Sequence, residues 1–91
     1  MKSVKVKILN KLGLHARPAM TFAEKASEFS SAIVVRRTDS NDTVDGKSIM
    51  QILMLAATCG TELEISAEGE DAKAALAALK TLVKSRFEED E

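Results

Sequence analysis

The chain holds one histidine, His15, in the run Gly13-Leu14-His15-Ala16-Arg17-Pro18. An imidazole directly before a helix start, with a guanidinium two residues on, suits an anion. The first backbone N–H groups of a helix lack intrahelical partners and sit at the positive end of its dipole. Those of Ala16 and Arg17 can point at a charged group carried on the ring, and Arg17 adds a planar, permanently charged donor. Phosphoryl transfer requires mainly positioning and charge stabilisation. A neutral imidazole nitrogen is an adequate nucleophile toward an activated donor, so His15 reads as a phosphoryl acceptor. The plainer alternatives are a merely structural or exposed ring and, for Arg17, a solvated helix residue. Against the first, His15 belongs to no apolar periodicity and follows a glycine-containing loop, so it is expected at the surface.

Ser48 is the second position of interest. Local physics favours a helix N-cap there; phosphorylation is the functional alternative, because a helix N-terminus tolerates a doubly charged group. Downstream, Ile49, Met50, Leu53 and Met54 are apolar on more than one helix face. Either the helix is wholly buried or the excess forms an adaptable exposed patch for partners. Cys59, the only cysteine, reads as a small buried residue of that helix and can form no internal disulfide. One His and one Cys make no zinc site. No Walker loop or GxGxxG is present, so neither a metal nor a cofactor is expected.

The elements that must hold these residues follow from periodicity. Val4, Val6 and Ile8 alternate with lysines, a half-buried strand. From Ala16 the period changes: Ala19, Phe22, Ala23, Ala26 and Phe29 mark one face of a helix, with Pro18 in its first turn. Ala32–Arg37 is a β-branched strand, and Thr43-Val44 a short third strand before an Asp45-Gly46 turn. Ser48–Ala57 reads as a helix stopped by Gly60. The alternation from Glu62 to Ala67 is a fourth strand, and Ala72–Val83 an amphipathic helix. Glu70 and Asp71 are expected in its first turn, with Lys80, Lys84 and Arg86 toward its end. The order is βαββαβα, an α+β class in which three helices cover one face of a four-stranded antiparallel sheet.

With 91 residues the chain is expected to form a single domain over 1–91, with about 87–91 an acidic, frayed tail. Such a size favours a surface site over a deep enclosed one. Net charge is -1, from 13 basic and 14 acidic residues, which gives no field for nucleic acid or an anionic membrane. The apolar run Ile49–Ala57 is too short to span a bilayer, and no signal peptide is visible. These features point to the cytoplasm.

Three stretches together resemble the HPr family, the histidine-containing phosphocarriers of the bacterial phosphoenolpyruvate-dependent phosphotransferase system. They are Asn10–Ala19, Gly46-Lys47-Ser48-Ile49-Met50, and Gly60-Thr61 through Ser66–Gly69, in order and at family spacing. The resemblance implies an open-faced β-sandwich. It implies that His15 accepts a phosphoryl group on Nδ1 from phospho-Enzyme I and passes it to an Enzyme II A component. Arg17 and the backbone of Ala16 and Arg17 would hold the phosphate. It shifts Ser48 from cap toward target of a serine kinase, and makes Ile49, Met50 and Leu53 a docking surface. Implied partners are these enzymes, with an HPr kinase/phosphorylase and a transcriptional regulator in some hosts; the chain is expected to be monomeric. Leu53–Ala57 and the acidic tail look more like NPr, the nitrogen-branch member, toward which the reading leans, while Asp45–Ser48 is closer to sugar-branch HPr. The competing class is a regulatory module that acts mainly by protein–protein contacts.

Overall fold

The computed structural model describes residues 2–88. Its elements are β1 (Lys2–Lys7), α1 (Ala16–Ser27), β2 (Ala32–Arg37), β3 (Thr43–Asp45), α2 (Ile49–Met54), β4 (Glu62–Glu68) and α3 (Ala72–Lys84), followed by a 3-10 turn at Arg86–Glu88. The strands form one sheet in the order β1-β4-β2-β3, every neighbouring pair antiparallel. This is the expected α+β arrangement.

Alternation assigns the two faces of the sheet. Val6, Ile33, Val35, Leu63, Ile65 and Ala67 point inward and are buried with Ala19, Phe22, Ala23 and Ala26 of α1 and Leu76, Leu79 and Val83 of α3. Burial of each large side chain is worth about 1.5–3 kcal/mol. The other face carries polar rows. Lys5 stands opposite Glu64 and Glu64 opposite Arg36, and an Arg36 Nη2–H donates to Glu64 Oε1 at 2.8 Å. That bond, with the nearby positive charge, holds the Glu64 carboxyl below its usual range.

Several details depart from the sequence reading. Helix α2 is shorter than Ser48–Ala57: it ends at Met54, and Ala56 turns left-handed at φ 51°. Gly60, at φ 93°, closes the turn into β4 instead of ending the helix. Cys59 therefore lies exposed in that turn and not in a buried helix. Glu70 and Asp71 precede α3, which begins at Ala72, and Arg86 falls in the turn beyond it. Phe87 is only 4% exposed, part of the core and not of a frayed tail; Glu89, Asp90 and Glu91 lie outside the described residues. Among the described residues, no helix is long and apolar enough to cross a membrane.

Asp71 shows why the α1–β2 connection sits where it does. It occupies the N-cap of α3 but makes no side-chain cap bond there. Its carboxylate instead accepts the Ser30 and Ser31 N–H groups, each at 2.9 Å, and both serine hydroxyls. Four donors favour the charged form and pull its pKa down to about 2, with the Ser31 hydroxyl the largest cause.

Candidate functional site

The segment ahead of His15 is held from two sides. Gly13 has φ +70°, and a Cβ there would lie 2.4 Å from the Ala57 carbonyl oxygen and 2.8 Å from Thr58 Cα. Only glycine meets both conditions. Next to it, Leu14 N–H donates to that same Ala57 carbonyl at 2.9 Å. The loop is thus seated on the chain that leaves α2.

His15 is the N-cap of α1, with extended backbone (φ -80°, ψ -171°), and its carbonyl accepts Ala19 N–H at 3.0 Å. Its side chain makes no cap bond to the first turn, and Pro18 has no N–H to offer. The Ala16 and Arg17 N–H groups therefore stand outside the helical ladder, at the positive end of α1. The ring is half-buried and not fully exposed as expected, with Nε2 turned inward and buried. Ala16 and Arg17 are exposed, and Pro18 is buried under them.

Ser48 is placed as its local chemistry predicts. It is the N-cap of α2, and its Oγ accepts Gln51 N–H at 3.2 Å. Gln51 Oε1 in turn accepts Asp45 N–H at 2.9 Å, so cap and preceding turn brace one another. At the far end, an Arg37 Nη1–H donates to the Leu55 carbonyl at 3.2 Å. Six residues are too few for a helix to persist on propensity; side chains at both ends hold this one.

Two contacts fix the relative direction of α1 and α2. The Lys47 ammonium, ahead of α2, donates to the Phe29 carbonyl beyond the end of α1 at 2.7 Å. The loop ahead of α1 bonds to Ala57, beyond the end of α2. The helices therefore lie antiparallel, and Ser48 sits at the opposite end of the pair from His15. Twelve residues of α1 span roughly 18 Å.

Between these ends α2 turns one large side chain, Ile52, into the core. Ile49 and Leu53 are exposed, and Met50 and Met54 are 73% and 78% exposed. The alternative of a wholly buried helix is thereby excluded. Leu12 and Met20, exposed as well, escaped the sequence reading. Met20 follows the first residue of the inward face of α1 and faces away from it, a signal that the periodicity carried. An open groove of about 920 Å³ lies off the end of α2, lined by Arg37, Asp39, Asp42, Met54 and Ala56 among others. His15 takes no part in it.

A family model described as the PTS HPr component phosphorylation site matches residues 2–85. The chain belongs to the HPr family. The phosphocarrier protein HPr of Pseudomonas aeruginosa is 45% identical over 91 residues, covering 100% of both chains. The phosphocarrier protein NPr of Escherichia coli K12 is 39% identical over 85 residues, covering 93% of each. Among solved structures, HPr-C-His of Thermoanaerobacter tengcongensis superposes with a TM-score of 0.93 at 46% identity over 100% of both chains. An HPr dimer from the same organism gives 0.76 at 47% identity, covering 98% of this chain and 100% of that one. The HPr fold, an open sheet with three helices on one side, is the fold of this chain. Membership makes it a carrier of the phosphotransferase system and not a catalyst in its own right.

Proposed function

We propose that this single-domain, cytoplasmic chain accepts a phosphoryl group on Nδ1 of His15 from phospho-Enzyme I and passes it to an Enzyme II A component. The observation that carries the reading is His15 at the N-cap of α1, Nε2 turned inward, ahead of the first-turn N–H groups of Ala16 and Arg17. In the step, the Nδ1 lone pair forms a bond to phosphorus while the bond to the donor's leaving group breaks and takes its electron pair away. Nε2 keeps its proton. The two backbone N–H groups and the Arg17 guanidinium hold the phosphoryl oxygens. Transfer onward is the same exchange in reverse, onto the acceptor's nucleophile.

Ser48 is the regulatory phosphorylation site of the same reading, and Ile49, Met50 and Leu53 dock the partner enzymes. Adaptable, exposed methionine beside aliphatic residues supports that use. Incubation with Enzyme I and phosphoenolpyruvate is expected to place acid-labile phosphate on His15, and none on a His15→Ala chain. A wild-type chain left unphosphorylated by an Enzyme I that is active on a control carrier would overturn the reading. Running the sugar-type and nitrogen-type Enzyme I in parallel assigns the branch.

A further inference from the structure

Asn10 is 0% exposed, and with Ser31 it is one of two buried polar residues among those described. An amide is buried only where hydrogen bonds replace water. One Nδ2–H of Asn10 donates to the Gly13 carbonyl at 2.6 Å, and Gly13 N–H donates to the Asn10 carbonyl at 3.1 Å. Side chain and backbone thus close the same four-residue turn. Its ends are tied down separately: Gly60 N–H donates to the Ile8 carbonyl at 2.8 Å, and Leu14 N–H to the Ala57 carbonyl at 2.9 Å.

His15 is the N-cap of α1: its carbonyl accepts Ala19 N–H, but its backbone is extended and its amide side is set by what precedes it. The crowding at Gly13 leaves that residue one seat against Ala57. Rotation of the Gly13 peptide would swing Leu14 and the imidazole relative to the first-turn N–H groups. The Asn10 amide grips that peptide at its carbonyl. We infer that Asn10 is a positioning residue for phosphoryl transfer: through Gly13 it aims the His15 ring at the start of α1. The inference rests on the function proposed above. A displacement of about 1 Å at the ring can cost up to about a hundredfold in rate.

The test compares wild type, Asn10→Ala and the isosteric Asn10→Asp as phosphoryl acceptors from Enzyme I. Asp offers a charged acceptor where the Gly13 carbonyl needs a donor. Both variants are expected to lose at least about tenfold in kcat while KM for Enzyme I stays within about twofold, because α2 is untouched. The His15 ring nitrogens are expected to change their NMR shifts in the free chains. Folding is checked by amide dispersion of β4 and α3. If Asn10→Ala unfolds, Asn10→Asp carries the comparison. If neither folds, exchange of the Asn10 side-chain amide in wild type decides: slow exchange from the free chain that persists in the His15 phosphoprotein supports the grip, and rapid exchange overturns it. A folded variant with unaltered kcat and ring shifts overturns the assignment, as does a rise in KM alone, and both leave the carrier reading intact. A wild-type chain that takes no phosphate overturns both.

Discussion

At the scale of single residues the proposed site is compact. The ring, two backbone N–H groups and one guanidinium are supplied by three consecutive positions, His15, Ala16 and Arg17. Among the described residues the Arg17 guanidinium enters no ion pair, and the side chain is exposed. Arg17→Ala is expected to slow phosphoryl transfer by about tenfold to a hundredfold, somewhat less than the loss of a donor from an enclosed anion site. The thermal midpoint should stay put, since exposed substitutions without special contacts usually stay within about 0.5 kcal/mol. Rapid-quench transfer kinetics beside a melting curve check both halves; unchanged kinetics would take Arg17 out of the mechanism. Cys59 teaches the converse at this scale. A residue type that is usually buried lies exposed here, because the helix assigned to it ends five residues earlier.

At the scale of elements, the antiparallel pairing of α1 and α2 sets what Ser48 can do to His15. Ser48 stands at the opposite end of that pair from His15, and physiological salt screens a charge over roughly 8–10 Å. Its effect must pass through the surface in between, where Ile49 and Met50 adjoin it. Ser48→Asp keeps a capping oxygen, so the fold should survive. Affinity for Enzyme I, read by titration calorimetry, should fall, while transfer at saturating Enzyme I should hardly change. Undiminished affinity would put the docking surface elsewhere. Strand β2 and the start of α1 could be read from the sequence to the residue, because Ala19, Phe22, Ala23 and Ala26 on one and Ile33 and Val35 on the other obey clean periods, though α1 stops at Ser27, short of Phe29. The end of α2 could not. Leu55-Ala56-Ala57 continues an apolar, helix-favouring run, and no glycine marks the left-handed residue. Ala56→Gly should therefore stabilise the chain by about 0.5–1 kcal/mol, the relief of a left-handed alanine less the added freedom of glycine when unfolded. A lower urea midpoint would show that the surroundings already absorb the cost. The turn at Asn10 had a faint signal, an Asn three residues ahead of a Gly, hidden by the intervening Lys11 and Leu12.

At the scale of the whole molecule, the contacts that local pattern does not reveal are those between distant segments. Asp71 joins Ser30 and Ser31 across some forty positions, and Gly69 beside it has no room for a side chain against Ser31. The Asp71 carboxyl titrates near 2 in the folded chain, against about 3.9 when unfolded. Its charged form is the bonded one, so the contribution is complete above about pH 4 and is lost as pH falls toward 2. Asp71→Asn should lower the thermal midpoint at neutral pH, and its deficit relative to wild type should shrink through that window. A deficit constant with pH would assign the effect to shape and not to charge. The sheet carries a consequence of another kind. Lys2 pairs with Ala67 and Lys7 with Glu62, while the loop ahead of His15 leans on Ala57, Gly60 and Thr61. During synthesis the complete Gly13–Pro18 run and all of α1 leave the ribosome long before their supports exist. The nascent chain thus carries the proposed acceptor His15 unassembled until β4 emerges, and carrier competence should arrive late and all at once.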